Sequence, residues 1–243
     1  METTEHIRTL EEEGRALVSA VDETGTDAEV PTCPGWRVRD LVRHTGTVHR
    51  WATAFVAEGY TAPRRMEQEP DLDGAALLAW FEKGHRRLVD TLRAAPADTD
   101  CWAFLPAPSP VAFWARRQAH ETAVHRIDAE SARGTTPGPI PAAFAVDGID
   151  ELLLGFQARE KSRVRTETPR VLRVRATDTD TVWTVRLSAE PPVSERGETA
   201  DADCEFTGTA ERLYLSLWNR APLPQVSGDR ALADLWRERS GIV

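Results

Sequence analysis

Residues 111–133 read VAFWARRQAHETAVHRIDAESAR and follow Pro110. Apolar residues at Val111, Trp114, Ala115, Val124 and Ile127 recur at roughly helical spacing, and proline is a favoured opening residue of a helix. The stretch therefore reads as a packed amphipathic helix. Within it Glu121 and His125 are four residues apart, so their side chains lie one turn apart on one face. A carboxylate and an imidazole so placed can hold one metal ion without straining the backbone. Asp128 follows His125 by three residues and can accept a hydrogen bond from its second ring nitrogen. The same spacing also suits an ordinary charge pair on a solvated face. It is not the HExxH of zinc proteases, which spaces two histidines around a central acid.

On either side of this helix the first 160 residues keep helical periodicity. Glu5 to Val21 carries Ile7, Leu10, Leu17 and Val21 on one side. The loop VPTCPGW follows, where Pro31, Pro34 and Gly35 forbid a continuing helix. Val38 to Ala57 forms a second amphipathic pattern, with Leu41, Val42, Val48, Trp51, Ala52 and Phe55. A polar link, Gly59 to Asp73, leads to a third, Ala75 to Ala94. The proline-rich link from Pro96 to Pro110 contains Cys101, Trp102, Phe104 and Leu105, which suggests that it packs against something. After a turn over Gly134 to Pro141, Phe144 to Arg159 predicts a further helix. Four or five helices joined by short links fit an antiparallel bundle, in which metal sites are built from inward side chains of neighbouring helices.

Beyond Lys161 the period drops to two. Val171 to Arg175 and Thr181 to Leu187 alternate, and the TDTD between them reads as a hairpin turn. Cys204 to Phe206 predicts a third strand, Thr209 to Asn219 a helix, and Ala231 to Arg239 a short last one. Charge changes at the same place: residues 1–160 hold 17 basic and 26 acidic side chains, residues 161–243 thirteen of each. The expectation is an α+β protein of two domains, a helical bundle over 1–160 and a small α/β domain over 161–243.

The net charge of -9 offers no basic face to neutralise phosphates, which argues against a nucleic-acid partner. No run of eighteen apolar residues is present, and METTEH does not resemble a signal peptide. A cytoplasmic protein with no membrane span is expected. Cys33, Cys101 and Cys204 are odd in number and widely spaced, so they suggest neither a disulfide framework nor a CxxC metal site. We assign them to packing.

A third ligand to the Glu121–His125 pair must come from elsewhere. Of the six histidines, His6 and His85 fall on predicted helix surfaces and read as solvated. His44 is three residues after Leu41 and four before Val48, so it points to the core side of the second helix. A histidine there can equally be a hydrogen-bonded core residue, but another helix offers Glu121 and His125. A His/Glu/His set leaves an open coordination position, as catalytic zinc sites do. His49 lies about 140° further round the helix and is less suited to the same ion.

At these residues the chain resembles a known family. Pro34-Gly35-Trp36-Arg37-Val38-Arg39-Asp40-Leu41-Val42-Arg43-His44, then Arg117-Gln118-Ala119-His120-Glu121 and His125-Arg126-Ile127-Asp128, are similar to the mycothiol-dependent maleylpyruvate isomerase family. The resemblance runs from about residue 5 to the end. It implies an N-terminal DinB-like four-helix bundle followed by a smaller α/β domain of sterol-carrier type. It implies a divalent metal, usually zinc, held by His44, Glu121 and His125, the trio reached above from spacing. It also implies mycothiol as cofactor and an arginine of the second domain that holds a substrate carboxylate. Arg220, in LWNRAP, stands in that place, although its surroundings differ from the family's glycine-rich ones.

The implied chemistry is that of an isomerase or S-transferase acting on a small anionic or electrophilic substrate. Only the thiolate of a low-molecular-weight thiol is a good nucleophile, and a zinc ion with an open position lowers the thiol's pKa and positions its sulfur. Two other readings suit the same residues. One is a non-catalytic protein whose metal is a staple or sensor. The other is a hydrolase or lyase working through metal and water without a thiol.

Overall fold

The computed structural model describes residues 1–96 and 98–242, and within them the chain forms seven α-helices and a five-stranded sheet. Two compact units divide it, Met1–Gly138 and Pro139–Val243. Among the described residues no helix is long and apolar enough to cross a membrane.

The first unit is a four-helix bundle of α1 (Thr3–Thr24), α2 (Val38–Glu58), α3 (Gly74–Ala94) and α4 (Pro110–Ser131). All four fall where the 3.6-residue period places them. α1 packs chiefly on α4, and α2 chiefly on α3. Ser109 caps α4 by accepting from the Ala112 N–H, with Pro110 in the first turn, where its missing donor costs nothing. One end of the core gathers Leu17, Val21, Leu41, Val42, Leu77 and Phe81, all buried. The link before α4 does pack: the Trp102 N–H donates to the Tyr60 carbonyl, and Trp102 and Phe104 join an aromatic cluster with Trp51, Phe55 and Trp114.

α4 departs from the amphipathic helix expected. It is buried on nearly every side, and Arg117, Gln118, His120, Thr122, His125, Arg126 and Asp128 all lie inside the bundle. Buried polar groups are tolerated when they are paired, and α4 carries this polar chemistry between α1 and α2. Arg126, for example, meets Glu13 of α1 at 2.7 Å and Glu130 at 2.8 Å. The solvated-face alternative for Glu121 and His125 fails for the same reason.

The second unit begins earlier than residue 161. α5 (Ala142–Asp150) and the π-helical turns of Glu151–Phe156 that continue it belong there. They cover the sheet and pack on α6 (Ala210–Leu217). Asp150 accepts from Trp183 Nε1 at 2.8 Å and pairs with Arg196, and the Ile140 N–H donates to Glu211. Those bonds tie the segment to the sheet, so a boundary drawn from the change of period comes too late.

The sheet runs β3-β2-β1-β4-β5, with β1 Arg170–Ala176, β2 Thr181–Leu187, β3 Val193–Arg196, β4 Cys204–Gly208 and β5 Gln225–Gly228. β1 is antiparallel to β2 through the TDTD turn, whose Asp180 takes a positive φ of 48°, and parallel to β4. Register sets Leu172 against Val185 and Cys204, and Val174 against Trp183 and Phe206, so one face of the sheet is apolar and buried. α6 and α7 (Arg230–Arg239) contribute Leu213, Tyr214, Leu217 and Trp236 to that core.

Candidate metal centre

The bundle brings His44, Glu121 and His125 together. His44 Nε2 stands 3.5 Å from Glu121 Oε1, and His125 Nε2 stands 3.2 Å from the same oxygen. One ligand atom from each residue lies within 4.8 Å of the other two. The imidazole rings of His44 and His125 meet edge to face, their centroids 5.4 Å apart. The side chains of His44 and Glu121 are 27% and 21% exposed and that of His125 only 9%, so the centre opens to solvent on the His44–Glu121 side.

The loop before α2 shapes this centre. The Val30 N–H donates to the Trp36 carbonyl at 2.9 Å, and the Trp36 N–H donates to the Cys33 carbonyl at 3.0 Å. Gly35 sits at φ +87°, a conformation with little cost for glycine alone. The tight loop lays the Trp36 indole edge-on to His44 (5.2 Å) and nearly parallel to His125 (6.4 Å, 20°). It also delivers Thr32 and Cys33 to Asp128. That carboxylate, wholly buried, accepts from Thr32 Oγ1 at 2.5 Å, Cys33 Sγ at 3.4 Å and His125 Nδ1 at 3.0 Å. A carboxylate on Nδ1 fixes the imidazole so that Nε2 faces Glu121, the usual support of a metal-binding histidine.

Glu121 is held from both sides. Arg117 Nη2 donates to Oε2 at 3.2 Å, while Oε1 faces the two histidines. Burial works to raise the Glu121 carboxyl. Hydrogen bonds from His125 and His44, with the charges of His125 and Arg117, overcome it and keep the group well below the usual carboxylate range. Burial likewise works to lower His125, but Asp128 and Glu121 at its two ring nitrogens raise it to about 9. A proton on Nε2 thus occupies the direction in which a cation would sit. Two imidazole nitrogens and a carboxylate oxygen converging from two helices are the donor set that suits zinc and its neighbours, and the residues fit such an ion.

Other sequence expectations fall differently. His49 is buried apart from the trio: Thr122 Oγ1 donates to the Gln118 carbonyl at 2.7 Å, so His49 Nε2–H donates to Thr122 at 2.9 Å. His6 and His85 are not solvated but buried, 4% and 5% exposed. His6 shares a face with Leu10, and its ring meets that of His120; His85 follows Phe81 by four residues and stacks on it. Arg220 belongs to the second unit, where it follows α6 and donates through Nη1 to the Trp218 carbonyl at 2.9 Å. Cys33 does more than pack, because it bonds Asp128. Arg117 could have been found from its place four residues before Glu121. Glu69, whose carboxylate reaches His44 Nδ1 at 3.6 Å, sits in an irregular link with no local signal.

A four-helix bundle that converges a histidine, a glutamate and a second histidine, followed by a small α/β unit, is the class of fold this chain adopts. Residues 7–130 match the sequence model described as the mycothiol maleylpyruvate isomerase N-terminal domain, and residues 143–235 match that of the MDMPI C-terminal domain. The chain belongs to the mycothiol-dependent maleylpyruvate isomerase family. Its fold is similar to a crystal structure of the mycothiol-dependent maleylpyruvate isomerase (TM-score 0.66, 14% identity, 93% of each chain covered). It is also similar to that of a histidine-to-alanine mutant (TM-score 0.67, 13% identity, 93% of each chain covered). No curated protein matches the chain.

Proposed function

We propose that this protein is a metal-dependent enzyme that uses mycothiol, in an isomerase or S-transferase reaction on a small electrophilic substrate, and that it works in the cytoplasm. The observation that carries the reading is the convergence of His44, Glu121 and His125 at one solvent-open point of a family bundle. In this reading those three residues hold the metal, zinc by preference. Asp128 orients His125, and Arg117 fixes the second oxygen of Glu121 so that Oε1 stays turned inward. Trp36 packs its indole against both imidazoles. A metal bound there supplies the positive charge that lowers the pKa of a thiol and holds it near its target. The family resemblance alone assigns Arg220, in the second unit, to an anionic group of the substrate.

Metal analysis of the purified protein and of His44→Ala and Glu121→Ala, with thermal melts in the presence and absence of mycothiol, tests this. About one metal per chain in the wild type, lost in both variants, with a higher Tm on adding the thiol, supports it. A wild type that takes up no metal on reconstitution overturns it. Metal binding with no response to the thiol overturns the mycothiol assignment and leaves a hydrolase or sensor.

A further inference from the structure

A cleft of about 390 Å³ opens on the outer side of α2. It adjoins the metal centre: Thr47, one turn beyond His44, lines it, and so does Gln68, the neighbour of the Glu69 that reaches His44. Its walls carry three guanidinium groups, those of Arg50, Arg64 and Arg65, against one carboxylate, Glu67. Among the described residues none of the three arginines has a carboxylate within ion-pair distance.

Two of these cations lie over aromatic rings. The Arg50 guanidinium lies 3.6 Å above the centre of the Trp80 ring, and it donates to the carbonyls of Gly46 at 2.9 Å and Trp80 at 2.6 Å. The Arg64 guanidinium lies 3.4 Å above Tyr60, and Trp51 Nε1 donates to the Arg64 carbonyl at 2.8 Å. Stacking removes rotamer freedom before anything binds, so less ordering remains to be done on binding. The bundle is shaped around this arrangement. A Cβ on Gly46 would stand 2.2 Å from the Trp80 ring, and one on Gly84 2.2 Å from the Arg50 guanidinium. Two glycines facing each other across α2 and α3 leave room for one ring and one cation.

Arg50 is half-buried and hydrogen-bonded to two carbonyls, with the Glu67 carboxylate in the same cleft beyond ion-pair distance. Three cations against one carboxylate leave net positive charge in a partly desolvated cleft, and an incoming anion relieves that cost. Planar guanidinium groups present paired donors that match a carboxylate, and the surrounding rings match an unsaturated carbon skeleton. We infer that the cleft formed by Arg50, Arg64, Arg65, Trp51, Tyr60 and Trp80 is a subsite that binds a carboxylate of the substrate beside His44. The assignment to substrate rests on the enzyme reading above; the anion site rests on the cleft itself.

Maleate, its neutral diamide and inorganic phosphate serve as probes, titrated by calorimetry into wild type and into Arg64→Ala/Arg65→Ala, with metal content measured on both. These two arginines are exposed, so the double variant keeps the fold. The expected result is maleate binding that weakens at least tenfold in the variant, little binding of the diamide, and equal metal content. Maleate binding that is unchanged in the variant, or matched by the diamide, overturns the subsite. Phosphate binding as tightly as maleate overturns the carboxylate assignment. Arginine-dependent maleate binding in a chain that takes up no metal supports the anion site while the enzyme reading falls, so the two fail separately.

Discussion

His125 Nδ1 donates to Asp128 Oδ2 at 3.0 Å, while the opposite nitrogen of the same ring stands 3.2 Å from Glu121 Oε1. The imidazole is thus clamped along its long axis between a buried carboxylate and the open centre. Asp128→Asn keeps the shape but weakens the acceptor that sets the ring. Metal affinity is expected to fall by about 10–100-fold, as for other carboxylates behind a histidine ligand. Competition against a chelating dye measures it. An unchanged affinity would show that Asp128 only anchors the Thr32–Cys33 loop.

Burial sets a pH dependence on the other side of the bundle. His85 packs on Phe81 and beside His49, with Glu11 and Arg15 of α1 and Arg86 of its own helix nearby. Burial pushes its imidazole down from 6.5 to about 4, and Glu11 offsets this only in part. Between those values the unfolded chain binds the proton and the folded chain does not, so stability is full above pH 6.5 and is lost as pH falls towards 4. The shift corresponds to about 3 kcal/mol, an upper figure for one group. His49, held well down by burial, adds in the same direction. Urea titrations at pH 7 and pH 5 are expected to show wild type weakened at the lower pH and His85→Leu weakened less. Equal losses in the two proteins would rule out His85 as a source.

The helices and the convergence of His44, Glu121 and His125 were legible because both obey short periods. His44 lies in step with Leu41 and Val48, and Glu121 with His125, so spacing alone placed them on facing sides. The edge strands were not legible: Val193–Arg196 and Gln225–Gly228 hold one valine each, and Val193 is 62% exposed. Short polar edges suit the rim of a sheet and leave no alternating pattern to read. The support of Asp128 was equally hidden. Thr32 reaches it across 96 positions of sequence, and no local rule connects a loop hydroxyl to a helix that far away. His6 and His85 were misplaced because a histidine's polarity says surface, while their neighbours one turn away, Leu10 and Phe81, say core.

Gly14 shows how closely α1 approaches α3. A Cβ there would lie 2.2 Å from the His85 ring, which stacks on Phe81. Alanine improves helix propensity by about 1 kcal/mol, but overpacking a filled core costs about 1–3 kcal/mol. Gly14→Ala is therefore expected to lower the Tm. In a His85→Ala background the clash is gone and the same substitution is expected to be neutral or stabilising. Thermal melts of the four proteins form the cycle that reads this coupling. Additive effects would mean that the two residues do not meet.

Arg126 and Glu13 make the corresponding polar contact between α4 and α1. Nε–Oε2 is 2.7 Å and Nη2–Oε1 3.4 Å, and Arg126 Nη1 also donates to Glu130 and to the Gly138 carbonyl, each at 2.8 Å. Both partners are buried, 3% and 8% exposed. Such a pair adds little over an apolar contact of the same size, but removing one partner leaves the other charged and dry, at a cost of about 3–5 kcal/mol. Arg126→Met is expected to lose that much in urea denaturation, because Glu13 then lacks its counter-ion. Adding Glu13→Gln removes the stranded charge, so the double variant is expected to be more stable than Arg126→Met alone, although Glu130 keeps it below wild type. A double variant weaker than the single one would mean that Glu13 draws its support from elsewhere, and that the α1–α4 contact does not depend on this pair.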